Sequence, residues 1–242
     1  IPHPSPSQVA AMMTHAAHMS PTSTSFVAPT AINPRRGPVV GRNVTASRPL
    51  WRCVALSPLP KESLLRKIAE LDVGRTIIDN PGAQKNIMKY IEAVESDNSS
   101  AKPTEDPNLA GSWRMVYTTS PVILGSRRPS FLRPRKLLQF IAPAGDQILN
   151  VEIIQPLGPG SGVSWTNKIR VNASVEGDNR VNVQFRQFEL FGPLIKYKTE
   201  NDKRFNGWLD VTYLDADMRI SRGSENNVFV LVRDAEPMQK YM

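Results

Sequence analysis

The sequence predicts a mainly β chain, an antiparallel β-barrel of about eight strands preceded by an N-terminal pair of helices. Three observations carry this. Beyond Gly111 apolar and polar residues alternate with a period of two, as they do in strands with one face buried. The alternating runs are joined by short links rich in Gly, Asp and Asn, which suit antiparallel neighbours. Between Lys61 and Ser96 the apolar residues recur instead at helical spacing.

Taken in order, residues 1–55 are rich in Ser, Thr, Ala, Pro and Arg and contain no acid, the composition of an organellar import segment rather than of a folded domain. A helical leader and linker are expected over 56–104. Leu64, Leu65, Ile68 and Leu71 form one stripe, and Ile87, Met88, Ile91 and Val94 form a second. Asp79-Asn80-Pro81-Gly82 breaks the chain between them, and Asp97 to Ser100 with Pro103 ends the pair. The barrel is expected over 105–235, with a tail over 236–242. Its candidate strands run from Trp113 to Thr119, Leu137 to Ile141, Ile148 to Ile154, Val163 to Val175, Val181 to Phe191, Gly207 to Leu214, Met218 to Arg222 and Val228 to Val232. In the fifth, Val181, Val183 and Phe185 share one parity and Phe188 and Leu190 the other, which predicts a β-bulge near Arg186-Gln187. About eight strands in a meander close economically into a barrel; a two-sheet sandwich is the alternative.

Charge and rare residues then narrow the chemistry. The net charge is +8, but residues 1–61 hold six basic residues and no acid, so the foldable part is nearly balanced and charge gives no argument for nucleic acid. The polar face of the longest strand also lacks the aromatics RNA binding would need, so no nucleic-acid partner is expected. All three histidines (His3, His15, His18) and the single cysteine, Cys53, also lie before residue 56. The remainder can build no Ser-His-Asp triad, Cys-His dyad, disulfide or Cys/His metal site. A carboxylate-only enzyme using Asp210 or Glu152 is the form of catalysis left open. Asp215 and Asp217 read as turn residues rather than metal ligands, so neither a metal nor a cofactor is expected.

Leu109-Ala-Gly111-Ser-Trp113-Arg-Met-Val-Tyr117-Thr118-Thr119 resembles the opening strand of the plastid lipid-associated proteins, or fibrillins. Gly207-Trp-Leu-Asp-Val-Thr-Tyr213-Leu-Asp215-Ala-Asp-Met-Arg219-Ile-Ser-Arg222-Gly223, followed by Val228 to Val232, is similar to their closing signature. The resemblance spans roughly 61–233. It implies a lipocalin-like barrel without catalytic residues, peripheral on thylakoid, envelope or plastoglobule in the chloroplast. Such a barrel would bind or organise prenyl lipids, quinones or carotenoids. Plastid membrane lipids are the implied partners, with photosynthetic or lipid-metabolism complexes beside them. A structural role, coating lipid bodies or bridging membrane complexes without a ligand, is the alternative. Arg52-Cys53-Val54-Ala55 looks like a plastid processing site, with a mature start near Leu56. Gly111-Ser-Trp113 is similar to the lipocalin G-x-W motif, in which a late-strand arginine covers the tryptophan. Arg222, on the parity of Met218 and Ile220, is the candidate for that arginine.

Two sets of site residues follow. Trp113, Tyr117, Trp165, Ile169, Phe185, Tyr213 and Arg222 are candidates to line an apolar pocket, although periodicity does not separate lining from core packing. Arg127, Arg128, Phe131, Leu132, Arg133, Arg135 and Lys136 form an acid-free loop with two apolar residues. That composition suits an anionic headgroup layer, with a solvated basic loop as the alternative.

Overall fold

A computed structural model describes residues 59–98, 100–199 and 203–242. The expected import segment, with Cys53 and the processing site, lies outside these residues.

Nine antiparallel strands form: β1 Gly111–Thr118, β2 Pro134–Ile141, β3 Gln147–Ile154, β4 Trp165–Val175, β5 Arg180–Leu190, β6 Ile195–Lys198, β7 Asn206–Leu214, β8 Met218–Gly223 and β9 Val228–Arg233. Neighbours run β4-β3-β2-β1-β9-β8-β7-β5, and β4 also pairs with β5, so these eight strands close a barrel. Closure rules out the two-sheet alternative. The ninth strand, β6, was not expected. It is a short flap hydrogen-bonded only to β5. The predicted bulge is present: Val171 pairs with Phe185 but Arg170 with Gln187, leaving Arg186 as the extra residue. Three further register shifts, at Val116 on β1, Arg135 on β2 and Thr212 on β7, were not expected, and those at Val116 and Thr212 decide which side chains face inward.

Two helices, α1 Pro60–Ile68 and α2 Pro81–Glu95, form the leader. The breaker cluster doubles as a helix start. Asn80 Oδ1 accepts from the Ala83 amide at 3.0 Å and Pro81 occupies the first turn, where its missing N–H costs nothing. The helices lay Leu64, Ile68, Ile87, Ile91 and Val94 on the outer face of the barrel, against Tyr117, Tyr213, Met218, Ile220, Val228 and Val230. Over β1, β9 and β7 the sheet is therefore apolar on both sides, whereas β8 turns Arg219 and Ser221 inward. The outer face of β2 and β3 is covered in turn by the C-terminal residues, whose Tyr241 ring packs 5.6 Å from Phe140.

The leader is also tethered by charge. Lys61 Nζ lies 2.6 Å from Asp215 Oδ2, to which the Tyr213 hydroxyl also donates at 2.7 Å. Burial alone would raise the Asp215 carboxyl. The Lys61 ammonium, the Tyr213 hydroxyl and the amides of Asp217 and Met218 outweigh it and hold the carboxyl below its ordinary value. Such a group stabilises the fold above its unfolded pKa and loses that contribution as pH falls through the folded one. Acidification from about pH 4 downward is thus expected to loosen α1 first. Hydrogen exchange should then show protection lost over 60–68 while β8 and β9 retain theirs; simultaneous loss in all three would refute a local tether.

Candidate functional site

The barrel interior is assembled from alternate residues of every barrel strand. Trp113, Ile141, Ile148, Val171, Val181, Val183, Val211, Leu214 and Leu231 are buried in it. Met115, Ile169, Phe185, Leu209 and Phe229 pack on the same cluster but keep accessible surface. The lining is largely apolar, interrupted by the inward-facing polar side chains of Gln139, Asn150, Glu152, Asn167 and Arg219.

One barrel end, formed by the β2–β3, β4–β5 and β7–β8 turns, is plugged. The Trp113 indole is fully buried and donates to the Leu109 carbonyl at 3.0 Å. The Arg233 guanidinium lies 3.8 Å from its ring centroid and donates to the carbonyls of Asn108, Ala110 and Ala216. This explains the glycine of Gly111-Ser-Trp113: its φ is +113°, and a Cβ there would come within 2.8 Å of the Arg233 guanidinium. Arg219 reaches the same indole at 5.1 Å from inside. It donates to Gln139, which in turn donates to Asn150 at 2.9 Å. Its Nε is buried without a partner. Burial, with the neighbouring charge of Arg233, pushes Arg219 down to about 9.

The opposite end carries the β1–β2, β3–β4, β5–β6 and β8–β9 connections. The first of these is a long loop containing the short helix α3, Pro121–Leu124. Arg75, from the leader, holds it by donating to the Leu124 carbonyl at 2.9 Å and the Pro134 carbonyl at 2.7 Å. Arg128 turns inward and makes a two-pronged contact with Glu152 at 2.9 and 3.3 Å, both side chains being buried. Asn167 donates to the same carboxylate at 2.9 Å and accepts from the Phe191 amide at 2.9 Å. Above this network lies a slot of about 20 Å³ lined by Leu132, Ile154, Trp165, Leu190 and Phe191. The Trp165 Nε1 is buried at its side without a partner, and the ring stands 5.7 Å from that of Phe191. A slot of this size holds about one water.

Of the expected pocket residues, Trp113, Trp165, Ile169 and Phe185 have the interior parity. Tyr117, Tyr213 and Arg222 do not. The shift at Val116 turns Tyr117 outward, the shift at Thr212 does the same to Tyr213, and both rings lie under the leader helices. Among the described residues the Tyr117 hydroxyl is buried without a partner, and burial raises its pKa. Tyr117→Phe is accordingly expected to be neutral or stabilising by up to about 1 kcal/mol in thermal unfolding. A clear loss of stability would mean the hydroxyl is satisfied in solution. Arg222 also points outward and pairs with Glu95 of α2 at 2.6 Å, so Arg233 and Arg219, not Arg222, flank the tryptophan. The parity argument failed because Met218 and Ile220 face the helices rather than the interior.

In the basic loop, Arg127, Phe131 and Arg135 are exposed and Leu132 is half-buried. The other three are used within the fold. Arg128 is bound to Glu152, and Arg133 donates to the carbonyls of Arg128 and Ser126. Lys136 reaches Asp234 at 3.3 Å and Glu236 at 3.5 Å. The carboxylate-only alternative loses support on the same grounds. Both oxygens of Glu152 already accept hydrogen bonds, and Asp210 is held by Arg180 at 2.7 and 2.8 Å. Among the described residues no group of three or more His, Cys, Asp or Glu could hold a metal ion, and no helix is long and apolar enough to cross a membrane.

A family model described as PAP_fibrillin matches residues 59–203 and 193–232, covering the leader, the barrel and its closing strands. The chain belongs to this family of plastid lipid-associated proteins. Among its relatives, a chloroplastic light-induced protein from Solanum tuberosum is 44% identical over 83% of this chain and 77% of its own length. The probable plastid-lipid-associated protein 5 of Arabidopsis thaliana is 29% identical over 71% of this chain and 68% of its own. Plastoglobulin-1 of Pisum sativum is 23% identical over 63% and 55%. These relatives are chloroplastic, and this fibrillin is likewise a plastid protein. A lipocalin-like protein from Bacteroides uniformis is similar in structure over 52% of this chain and 99% of its own, with 12% identity and a TM-score of 0.31, a likeness too loose to build on.

Proposed function

We propose that this fibrillin is a non-catalytic protein that binds or organises apolar small molecules, such as prenyl lipids, quinones or carotenoids, at thylakoid or plastoglobule surfaces. The observation that carries the reading is the largely apolar interior, in which Met115, Ile169, Phe185, Leu209 and Phe229 pack on the buried cluster without being fully buried themselves. Barrels of this size hold one small ligand when they are not filled by side chains. The name of the pea relative, plastoglobulin, agrees with a lipid-body setting. Arg127, Phe131 and Arg135 are the residues of the basic loop free to meet headgroups.

A second reading, a structural protein of lipid bodies with no cargo, is favoured by the plugged end, where Trp113, Leu214 and Arg219 leave little room. Native mass spectrometry with lipid extraction separates the two. Protein purified from plastid membranes in mild detergent is expected to release about one prenyl lipid or pigment per chain on denaturation, and Phe185→Asp to lose it. Bare protein would remove the cargo reading and leave the structural one.

A further inference from the structure

Large apolar side chains at the surface are concentrated at the unplugged end. Phe131 (51% exposed) belongs to the β1–β2 loop; Leu157 (73%) and Val163 (45%) to the β3–β4 loop; Phe191 (43%), Leu194 (82%) and Ile195 (49%) to the β5–β6 turn. These three connections join consecutive strands from β1 to β6, and the slot shows that they meet, since Leu132, Ile154, Trp165 and Phe191 line it together. Isolated exposed apolar residues need no explanation, but a contiguous cluster at one end of a barrel does.

The same three connections are also free of acid. Residues 119–135, 155–164 and 191–198 contain no Asp or Glu, and within them Arg127, Arg135, Lys196 and Lys198 are exposed. At the plugged end residues 142–146, 176–179, 215–217 and 234–236 hold Asp146, Glu176, Asp178, Asp215, Asp217, Asp234 and Glu236, but Lys61, Lys102, Arg114, Lys136 and Lys240 pair with five of these, so that end is of mixed charge. Among the described residues of the unplugged end the β8–β9 turn, on the other arc of the rim, departs from the acid-free pattern with Glu225, and in the sequence the β6–β7 connection carries Glu200 and Asp202. The backbone is also committed to the display. Phe191 adopts φ +53°, a conformation costly for a bulky residue, and is held in it by Asn167.

From these features we infer that the rim formed by the β1–β2, β3–β4 and β5–β6 connections is the surface that inserts into a lipid layer carrying anionic headgroups. The barrel axis then stands across the interface, with its plugged end facing away. Apolar tips enter the acyl boundary while the four exposed cations meet the headgroups, and the opposite end offers, among its described residues, neither a cluster of exposed apolar tips nor an unpaired basic patch. This rests on the lipid-surface reading above and extends it from one loop to three and to an orientation.

The test uses the full chain carrying Cys53→Ser and one reporter cysteine, Leu194→Cys at the rim or Val175→Cys at the opposite end, labelled with an environment-sensitive dye. Vesicles of phosphatidylcholine and phosphatidylglycerol in equal parts should brighten and blue-shift the dye at 194 and leave that at 175 unchanged. The triple variant Phe131→Ser/Leu157→Ser/Leu194→Ser, one well-exposed residue from each connection, should bind these vesicles at least about tenfold more weakly with its near-ultraviolet circular dichroism intact. A response at 175, or a folded triple variant that floats like the parent, would overturn the rim while sparing the lipid-surface reading. A parent chain that floats with no vesicle would overturn both.

Discussion

Gly74→Ala, at a buried position, is expected to lower stability by about 3 kcal/mol or more. Two costs add. The backbone at Gly74 has φ +109°, which an L side chain adopts only at a penalty of about 1–2 kcal/mol. A Cβ there would also stand 2.6 Å from the Thr118 carbonyl oxygen and 3.2 Å from the Tyr117 ring. Neither neighbour can give way. Thr118 is in register with Phe229 in the barrel wall, and Tyr117 is 1% exposed beneath the leader. The segment is already stressed, since Asp72 and Val73 hold φ of 45° and 62°. The alanine must therefore push the leader off β1 or bend the strand. For a chain of this size the loss corresponds to a fall in melting temperature of very roughly 6–12 °C. Gly145→Ala is the internal control: φ is +73°, but nothing lies within 4 Å of the added carbon, so only the backbone penalty should appear. Equal losses for both variants would show that the close approach to Thr118 is relieved in solution.

Why Gly74 and Tyr117 were not legible follows from what alternation can report. In β5 the outer residues Asn182, Gln184, Gln187 and Glu189 are polar, so a bulge shifts the apolar parity visibly, and the one at Arg186 was readable. In β1 and β7 the outer face is covered by the helices, so Val116-Tyr117 and Thr212-Tyr213 are as suited to one side as to the other. The bulges there leave no trace in the pattern. The same cover misdirected the arginine assignment, because Met218 and Ile220 looked like an inner face. Helix stripes, strand count and barrel closure were legible because each depends on short-range periodicity and short links. Arg75, Arg219 and Arg233 were not, because each finds its partners in segments distant in sequence: Arg75 with Leu124 and Pro134, Arg219 with Gln139, and Arg233 with Asn108. In the basic loop, composition identified a surface feature but could not tell which cations belong to the fold.

Arg128 shows how much turns on that last distinction, and Arg128→Met is expected to cost about 3–5 kcal/mol. A cation pointing at headgroups could be removed with little change in stability, and only binding would suffer. Arg128 instead has a side chain 5% exposed and faces Glu152, 9% exposed, with both carboxylate oxygens engaged. Removing it leaves a buried carboxylate with Asn167 as its remaining side-chain partner at 2.9 Å, and Asn167 also fixes Phe191. Methionine keeps most of the stem volume that packs against Gly125, so the loss isolates the charge. Arg128→Met/Glu152→Gln removes both charges while leaving an acceptor for Asn167, and should recover most of the stability in denaturant unfolding. A double variant as unstable as the single one would mean that the stem and the loop carbonyls, not the buried pair, hold this end together. Because the β1–β2 loop and the β5–β6 turn are both anchored on this network, the single variant should also bind anionic vesicles less well, and the double variant should regain binding as it regains stability. Binding lost in both would place Arg128 at the lipid surface after all.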